Sequence, residues 1–386
     1  MPLTRDDVLT ALRPVEDPEI QRSIVELDMV REIIIDGGHV RVGVALTVAG
    51  CPLRAEITSR VTAAVAALPG AGRVDVELSV MTDEERSALR IKLQGGAQGS
   101  GAQPQAGHQP QAMGHAEGRE IPTSTVGPRT RVLGIASGKG GVGKSSVTVN
   151  LAVSLARAGN TVGLLDADVY GFSVPKMLGI DSEPVQIDGM IIPPVGHGVK
   201  CISVGLLVEN DETPVMWRGP MLHKMLEEFL TRVFWDEPDY LIFDMPPGTG
   251  DVALSMHNYL PQAEMIVVTT PQPAAQRVAQ RSAMMAAKVN TPVLGVVENM
   301  SWFIGDDGRR YQLFGSGGGQ ELADKLGVAL LGQVPLVTAV REGGDIGVPI
   351  VVSHPDSEAA QAFCAITERV TAKGPRRRFR PELTIR

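Results

Sequence analysis

Cysteine is scarce in this chain of 386 residues. Cys51, Cys201 and Cys364 stand far apart and are odd in number, which excludes a disulfide framework and a zinc site of the C-x-x-C kind. Aromatic residues are equally thin, 4% against 43% hydrophobic residues in all. The core must therefore be aliphatic, as a parallel sheet covered by helices requires. No apolar run is long enough to cross a bilayer, and the opening segment MPLTRDDVLTALRP carries acids where a signal peptide has its apolar stretch. A cytoplasmic protein without membrane contact is expected. The net charge of -8 also argues against nucleic acid bound through bulk charge.

The length suits two domains, one of them sizeable. Residues 1–94 read as a small α/β domain. Thr4 caps a first helix with Asp7 three residues on, and VREIIIDGGHVRVGVALTV gives two strands joined at Gly37 and Gly38. A helix from about Leu53 to Ala67, a strand in RVDVELSVM and a charged helix from Asp83 follow. Residues 95–128, rich in Gly, Gln and Pro, read as a flexible linker. In residues 129–372 the runs RVLGIA, TVGLLDAD, KCISVGLL, YLIFDMP, EMIVVTT, VLGVVENM and LLGQVPL alternate with helical stretches. That alternation predicts a mostly parallel sheet with helices on both faces, its chemistry at the carboxyl ends of the strands. The basic tail, residues 373–386, lacks the apolar face of an interfacial helix and reads as a solvated end.

The segment GIASGKGGVGKSS carries the clearest chemistry. Gly138, Gly143, Lys144 and Ser145 fit G-x-x-x-x-G-K-[ST] between a strand and a helix. The backbone from Gly138 through Gly140, Gly141, Val142 and Gly143 curls so that its amides face phosphate oxygens. Lys144 then meets the β and γ phosphates and Ser145 holds Mg²⁺. A second lysine, Lys139, opens the same turn, and two such cations repel unless an anion lies between them.

The arrangement K-G-G-V-G-K-S resembles the deviant Walker A family of P-loop ATPases, which contains MinD, ParA and nitrogenase iron protein. The resemblance implies ATP-dependent dimerisation, with Lys139 reaching the nucleotide of the partner subunit. It also makes Asp166 and Asp168 the switch I acids: Asp168 orients or deprotonates the attacking water and Asp166 supports the Mg²⁺. Asp244 ends a buried strand as a Walker B acid does, and Gly248 offers its amide to the γ phosphate. Asn299 matches the family's adenine-reading asparagine, and Pro335 lies near the base in relatives.

The blocks DADVYGFSVPKMLG, VMWRGPM, DMPPGTGD, ENMSWF, FGSGGG and VREGGDIGVPIV look like the Mrp/ApbC group of iron-sulfur cluster carriers over residues 129–370. EDPEI at Glu16 and LTVAGCPL around Cys51 resemble the small iron-sulfur assembly domain that precedes the ATPase in many members. The resemblance implies a homodimer that binds and hydrolyses ATP with Mg²⁺ and passes an iron-sulfur cluster to apoproteins alongside assembly factors. Here the chain departs from the pattern. Relatives carry C-P-x-C between the ENMS and FG-x-GGG blocks, whereas this chain has Gly305, Asp306, Asp307 and Gly308 there, and carboxylates replace thiolates poorly on such clusters. Cys51, between Gly50 and Pro52 at a strand-to-helix junction, is the candidate reactive thiol or cluster ligand. Cys201 and Cys364 read as core. The alternative is a nucleotide-switched adaptor in iron-sulfur assembly that carries no cluster itself.

Overall fold

A computed structural model describes residues 3–47, 54–95, 126–168, 171–206, 219–248, 251–288, 290–372 and 374. Cys51, most of the expected linker and all of the basic tail but Gly374 lie outside the described residues. The chain divides into two compact units, Met1–Ala106 with Pro184–Pro193, and Gly107–Glu183 with Pro194–Arg386.

The first unit runs α1 (Arg5–Leu12), β1 (Val30–Asp36), β2 (His39–Leu46), α2 (Arg54–Ala66), β3 (Val74–Val80) and α3 (Asp83–Gly95). Thr4 and Asp7 form the expected reciprocal cap: the Asp7 amide donates to Thr4 Oγ1 (3.2 Å), and the Thr4 amide to Asp7 Oδ2 (2.9 Å). Gly37 and Gly38 have φ of 60° and 147°, which lets β1 fold back antiparallel on β2; β3 joins β2 in parallel. Val40, Val42 and Val44 bury one face of β2, and Ile57, Val61 and Val65 bury a stripe of α2 at a spacing of four. Asp17, itself buried, accepts from the amides of Glu19 (3.0 Å) and Ile20 (2.9 Å). Burial first, then the Asp17 carboxylate, pushes Glu19 up to about 7.

The second unit begins with β4 (Arg131–Ser137), α4 (Lys144–Arg157), β5 (Val162–Asp166) and α5 (Val174–Met177). The hairpin β6 (Val185–Ile187) and β7 (Met190–Ile192) groups with the first unit, where Arg90 of α3 donates to the Asp188 carbonyl (2.6 Å) and to its Oδ2 (2.9 Å). Then come β8 (Val195–Gly196), β9 (Val199–Ser203), α6 (Gly219–Arg232), β10 (Tyr240–Asp244), α7 (Asp251–Tyr259), β11 (Glu264–Thr269), α8 (Pro273–Lys288) and β12 (Val293–Glu298). A short hairpin, β13 (Phe303–Ile304) and β14 (Arg310–Tyr311), precedes α9 (Gly318–Leu326), β15 (Ala329–Gln333), α10 (Thr338–Ile346), α11 (Ile350–Ser353) and α12 (Glu358–Thr371).

The large sheet has the order β15-β12-β11-β4-β10-β5-β9-β8, parallel throughout except for β8 at one edge. Each aliphatic run singled out in the sequence from Arg131 onward supplies one of its strands. Strands β4, β5 and β10 are buried along their whole length, because both faces are covered. Leu133 and Ile135 of β4 pack in one cluster with Val147 and Leu151 of α4 and with Phe363 and Ile366 of α12. Gly134 between them faces the other way: a Cβ there would lie 2.9 Å from Met256 of α7. After β4 the chain steps to β5 and β9, returns to β10, and then builds β11, β12 and β15 on the far side of β4. The reversal of strand order puts the crevice at the carboxyl end of β4, where such sheets bind ligands.

Cys201 is fully buried in β9, as expected, but Cys364 is exposed. The buried stripe of α12 is Ala359, Ala360, Phe363, Ile366, Thr367 and Val370, and one further residue turns Cys364 about 100° away from Phe363. Among the described residues no helix is long and apolar enough to cross a membrane.

Two expectations test these packings. A Cβ on Gly163 of β5 would lie 2.6 Å from the ring of Trp235, which is itself buried and donates Nε1 to the Phe229 carbonyl (3.0 Å). Gly163→Ala should therefore lower stability by about 1–3 kcal/mol, read as an earlier denaturant midpoint at unchanged slope. In the first unit, the folded state binds a proton at Glu19 more tightly than the unfolded chain does. The stability this contributes is full below about 4.5 and fades as pH rises towards about 7. Glu19→Gln should flatten the pH dependence of stability across that window, measured by denaturation at pH steps.

Candidate nucleotide-binding site

The loop between β4 and α4 has the backbone its glycines permit. Gly141 and Gly143 have φ of 79° and 77°, a region that a side chain would strain. Gly138 is required for a different reason, since a Cβ there would lie 2.2 Å from the Ala279 nitrogen and 2.3 Å from the Val278 carbonyl carbon of α8. A Cβ on Gly143 would lie 2.2 Å from Asn299 Nδ2. Gly140 and Gly141, by contrast, have nothing within 4 Å on the side where a Cβ would point. The loop is thus pinned at Gly138 and Gly143 and open between them.

The buried carboxylate of Asp244 organises what lies beneath. Lys144 Nζ and Ser145 Oγ each donate to its Oδ2 at 2.6 Å, and Thr148 Oγ1 donates to its Oδ1 at 2.6 Å. Thr148 was not legible from the motif, yet it sits one helical turn after Lys144 and so on the same face of α4. Asp166 is level with Asp244 on the neighbouring strand. It accepts from the Asp168 amide (3.1 Å) and from Ser203 Oγ (3.1 Å) at the end of β9. Burial first, then the nearby Asp244 carboxylate, pushes Asp166 up to about 7. Lys144 Nζ also lies 3.8 Å from Asp168 Oδ2. The three acids expected at strand ends are therefore gathered around the expected lysine and serine.

Other expected residues are engaged within the protein. Lys139 is half-buried and donates to Gln272 Oε1 (3.2 Å) after β11, a partner the sequence gave no reason to single out. The Gly248 amide donates to the Ser137 carbonyl (2.9 Å). Asn299 Nδ2 donates to the Val142 carbonyl (2.9 Å), so it braces the loop directly. Pro335 is buried just past the end of β15.

The segment where relatives place C-P-x-C is a closed turn joining β13 to β14. The Gly305 amide donates to the Arg309 carbonyl (3.0 Å), and the Gly308 amide, at φ 74°, donates to the Gly305 carbonyl (2.9 Å). Asp307 accepts from the Arg309 amide (3.0 Å) and the Tyr311 hydroxyl (2.8 Å), which holds its carboxyl below the ordinary range. Burial pushes the Cys201 thiol well above its ordinary range, with the Asp166 and Asp244 charges adding to the effect. Among the described residues no three His, Cys, Asp or Glu side chains converge to hold a metal ion unaided.

The chain matches two known families: residues 129–371 match the NUBPL iron-transfer P-loop NTPase, and residues 5–78 match an iron-sulfur cluster assembly protein. It is 47% identical to an iron-sulfur cluster carrier protein of Mycobacterium leprae, covering 95% of this chain and 92% of that protein. Identity is 44% with the iron-sulfur cluster carrier protein of Synechocystis, covering 96% and 98%. Among solved structures, a nucleotide-binding protein of Archaeoglobus fulgidus in complex with ADP is 33% identical, with a TM-score of 0.53 over 63% of this chain and 98% of that one. The pinned loop, the acids gathered beneath it and these likenesses agree: the chain belongs to the NUBPL iron-transfer P-loop NTPase family and carries an iron-sulfur assembly domain ahead of it.

Proposed function

We propose that this protein is a cytoplasmic, homodimeric, Mg²⁺-dependent ATPase that binds iron-sulfur clusters and passes them to apoproteins together with assembly factors. The reading is carried by Lys144, an ammonium held between Asp244 and Asp168 beneath an open glycine loop. The carrier names of its near full-length relatives support the cargo.

Lys144 and the Ser145 hydroxyl both donate to Asp244. A triphosphate on the loop amides draws Lys144 towards the β and γ oxygens and away from Asp244 and Asp168. Two buried carboxylates and a hydroxyl are hard oxygen donors that suit Mg²⁺, which binds nucleotide sites through one or two carboxylates plus phosphates. Ser145 and Asp244 would hold it, with Asp166 in support, and the ion would neutralise charge on the transferring phosphoryl. Asp168, next to Lys144 and partly open, orients the attacking water and takes its proton. Gly248 leaves Ser137 to meet the γ phosphate. Lys139 leaves Gln272 for the nucleotide of the partner subunit, and Asn299 offers its remaining amide hydrogen and Oδ1 to adenine, with Pro335 nearby. Hydrolysis then reverses the dimer arrangement that ATP favours and couples nucleotide state to cargo transfer.

A second reading is favoured by the turn at Gly305–Gly308, where Asp307 serves the turn's own hydrogen bonds and neither aspartate offers a thiolate. On that reading the protein switches with nucleotide and recruits partners through residues 1–94 without holding a cluster.

Two experiments test the proposal. Lys144→Ala should reduce ATP turnover by roughly a hundredfold or more, whereas retained turnover would refute the site. Anaerobic reconstitution with iron and sulfide should give a visible absorption band that Cys51→Ala loses; a band that survives the change places the cargo elsewhere, and no band in the unaltered protein favours the adaptor.

A further inference from the structure

The block FGSGGG is glycine-rich and opens a helix, as a phosphate loop does. The structure gives these glycines another task. Gly317, at φ 76°, starts α9 without a side-chain cap of its own. The anion at this helix start is Glu298, whose Oε2 accepts from the Gly319 amide at 2.5 Å. Glu298 Oε1 accepts from Gln333 Nε2 (2.7 Å) at the end of β15. Glu298 is 1% exposed, and among the described residues no lysine or arginine forms an ion pair with it. A buried carboxylate without a cation depends on such donors. The glycines admit it closely: a Cβ on Gly319 would lie 2.5 Å from Glu298 Cβ, and one on Gly318 would lie 2.2 Å from Gln276 Nε2 and 2.5 Å from the Pro271 carbonyl oxygen.

Glu298 immediately precedes the residue that braces the nucleotide loop. The Glu298 carbonyl accepts from the Val334 amide (2.8 Å) and Ser301 Oγ (3.0 Å), while the Asn299 amide donates to the Thr269 carbonyl (2.8 Å). Met300 follows at φ 57°. Asn299 Nδ2 then reaches the Val142 carbonyl of the loop. A chain of contacts therefore runs from the start of α9 through Glu298 to Asn299 and into the glycine loop.

We infer that Glu298 is a positioning residue for nucleotide binding: by occupying the start of α9 as a built-in anion, it fixes Asn299 against Val142 and holds the loop and the base contact in register. The inference rests on the nucleotide-binding reading of the same site. It also means that the FGSGGG glycines do not form a second anion site, because their helix start is already filled.

The test is a double-mutant cycle in the full chain, with Mg-ATP binding measured by calorimetry for the unaltered protein, Glu298→Gln, Asn299→Ala and the pair. Glu298→Gln keeps the shape but removes the charge and sets an amide group against Gln333. It should weaken ATP binding about tenfold alone and no more than about twofold in the Asn299→Ala background. Equal losses in both backgrounds, or no loss in the single variant, would overturn the inference while leaving nucleotide binding intact. An unaltered protein that takes up no Mg-ATP would overturn the nucleotide reading and this inference with it. Should Glu298→Gln fail to fold, Gln333→Ala, at an exposed edge position, removes one of the two carboxylate contacts. It should weaken binding about threefold through the same dependence on Asn299, and undiminished binding or a loss independent of Asn299 would overturn the inference.

Discussion

The second unit depends on one carboxylate. Asp244 sits at the end of a fully buried strand and accepts three hydrogen bonds at 2.6 Å from the first turn and a half of α4. A buried anion left without donors is strongly unfavourable, so those bonds fix the height and rotation of α4 against the sheet. They also set where the loop before α4 must travel. Asp166 beside it makes the cluster richer in acid than in base. Its raised proton affinity reports that imbalance. A site with this excess of acid is suited to a cation-accompanied polyanion, which brings positive charge with it.

Much of this was legible in the sequence because the information was local. The strands of the large sheet announce themselves as aliphatic runs buried on both faces, and G-x-x-x-x-G-K-S fixes the loop by spacing alone. Acids at strand ends fall beside it once the sheet is parallel. The partners of those residues were less legible. Thr148, Ser203 and Gln272 acquire their roles from the juxtaposition of elements far apart in the chain. Cys364 was misplaced because Ala, Phe and Ile surround it on every side of the sequence, so the phase of the helix had to be set by what α12 packs against. At the start of α9, likewise, the anion that accepts from the helix comes from another element, Glu298 at the end of β12.

Resemblance and residues diverge most in the turn between β13 and β14. Arg310 lies over the Trp302 ring at 4.6 Å beside it, and Asp307 at its tip is committed to ordinary turn hydrogen bonds. A family can thus conserve an engine while a given member alters how cargo is gripped. In this chain the glycine loop and the acids beneath it are brought together, and the turn that departs from the expected pattern lies between β13 and β14.

The contact at Gly138 has a mechanical consequence. Loop and helix α8 meet there main chain against main chain, with no side chain between them to absorb a displacement. Close-packed interiors have low compressibility, so a shift of the loop is delivered to α8 as a push on a rigid rod. The same helix begins one residue after Gln272, where Lys139 is moored. Glycine at this point lets the loop bear directly on α8, so that neither can shift without the other.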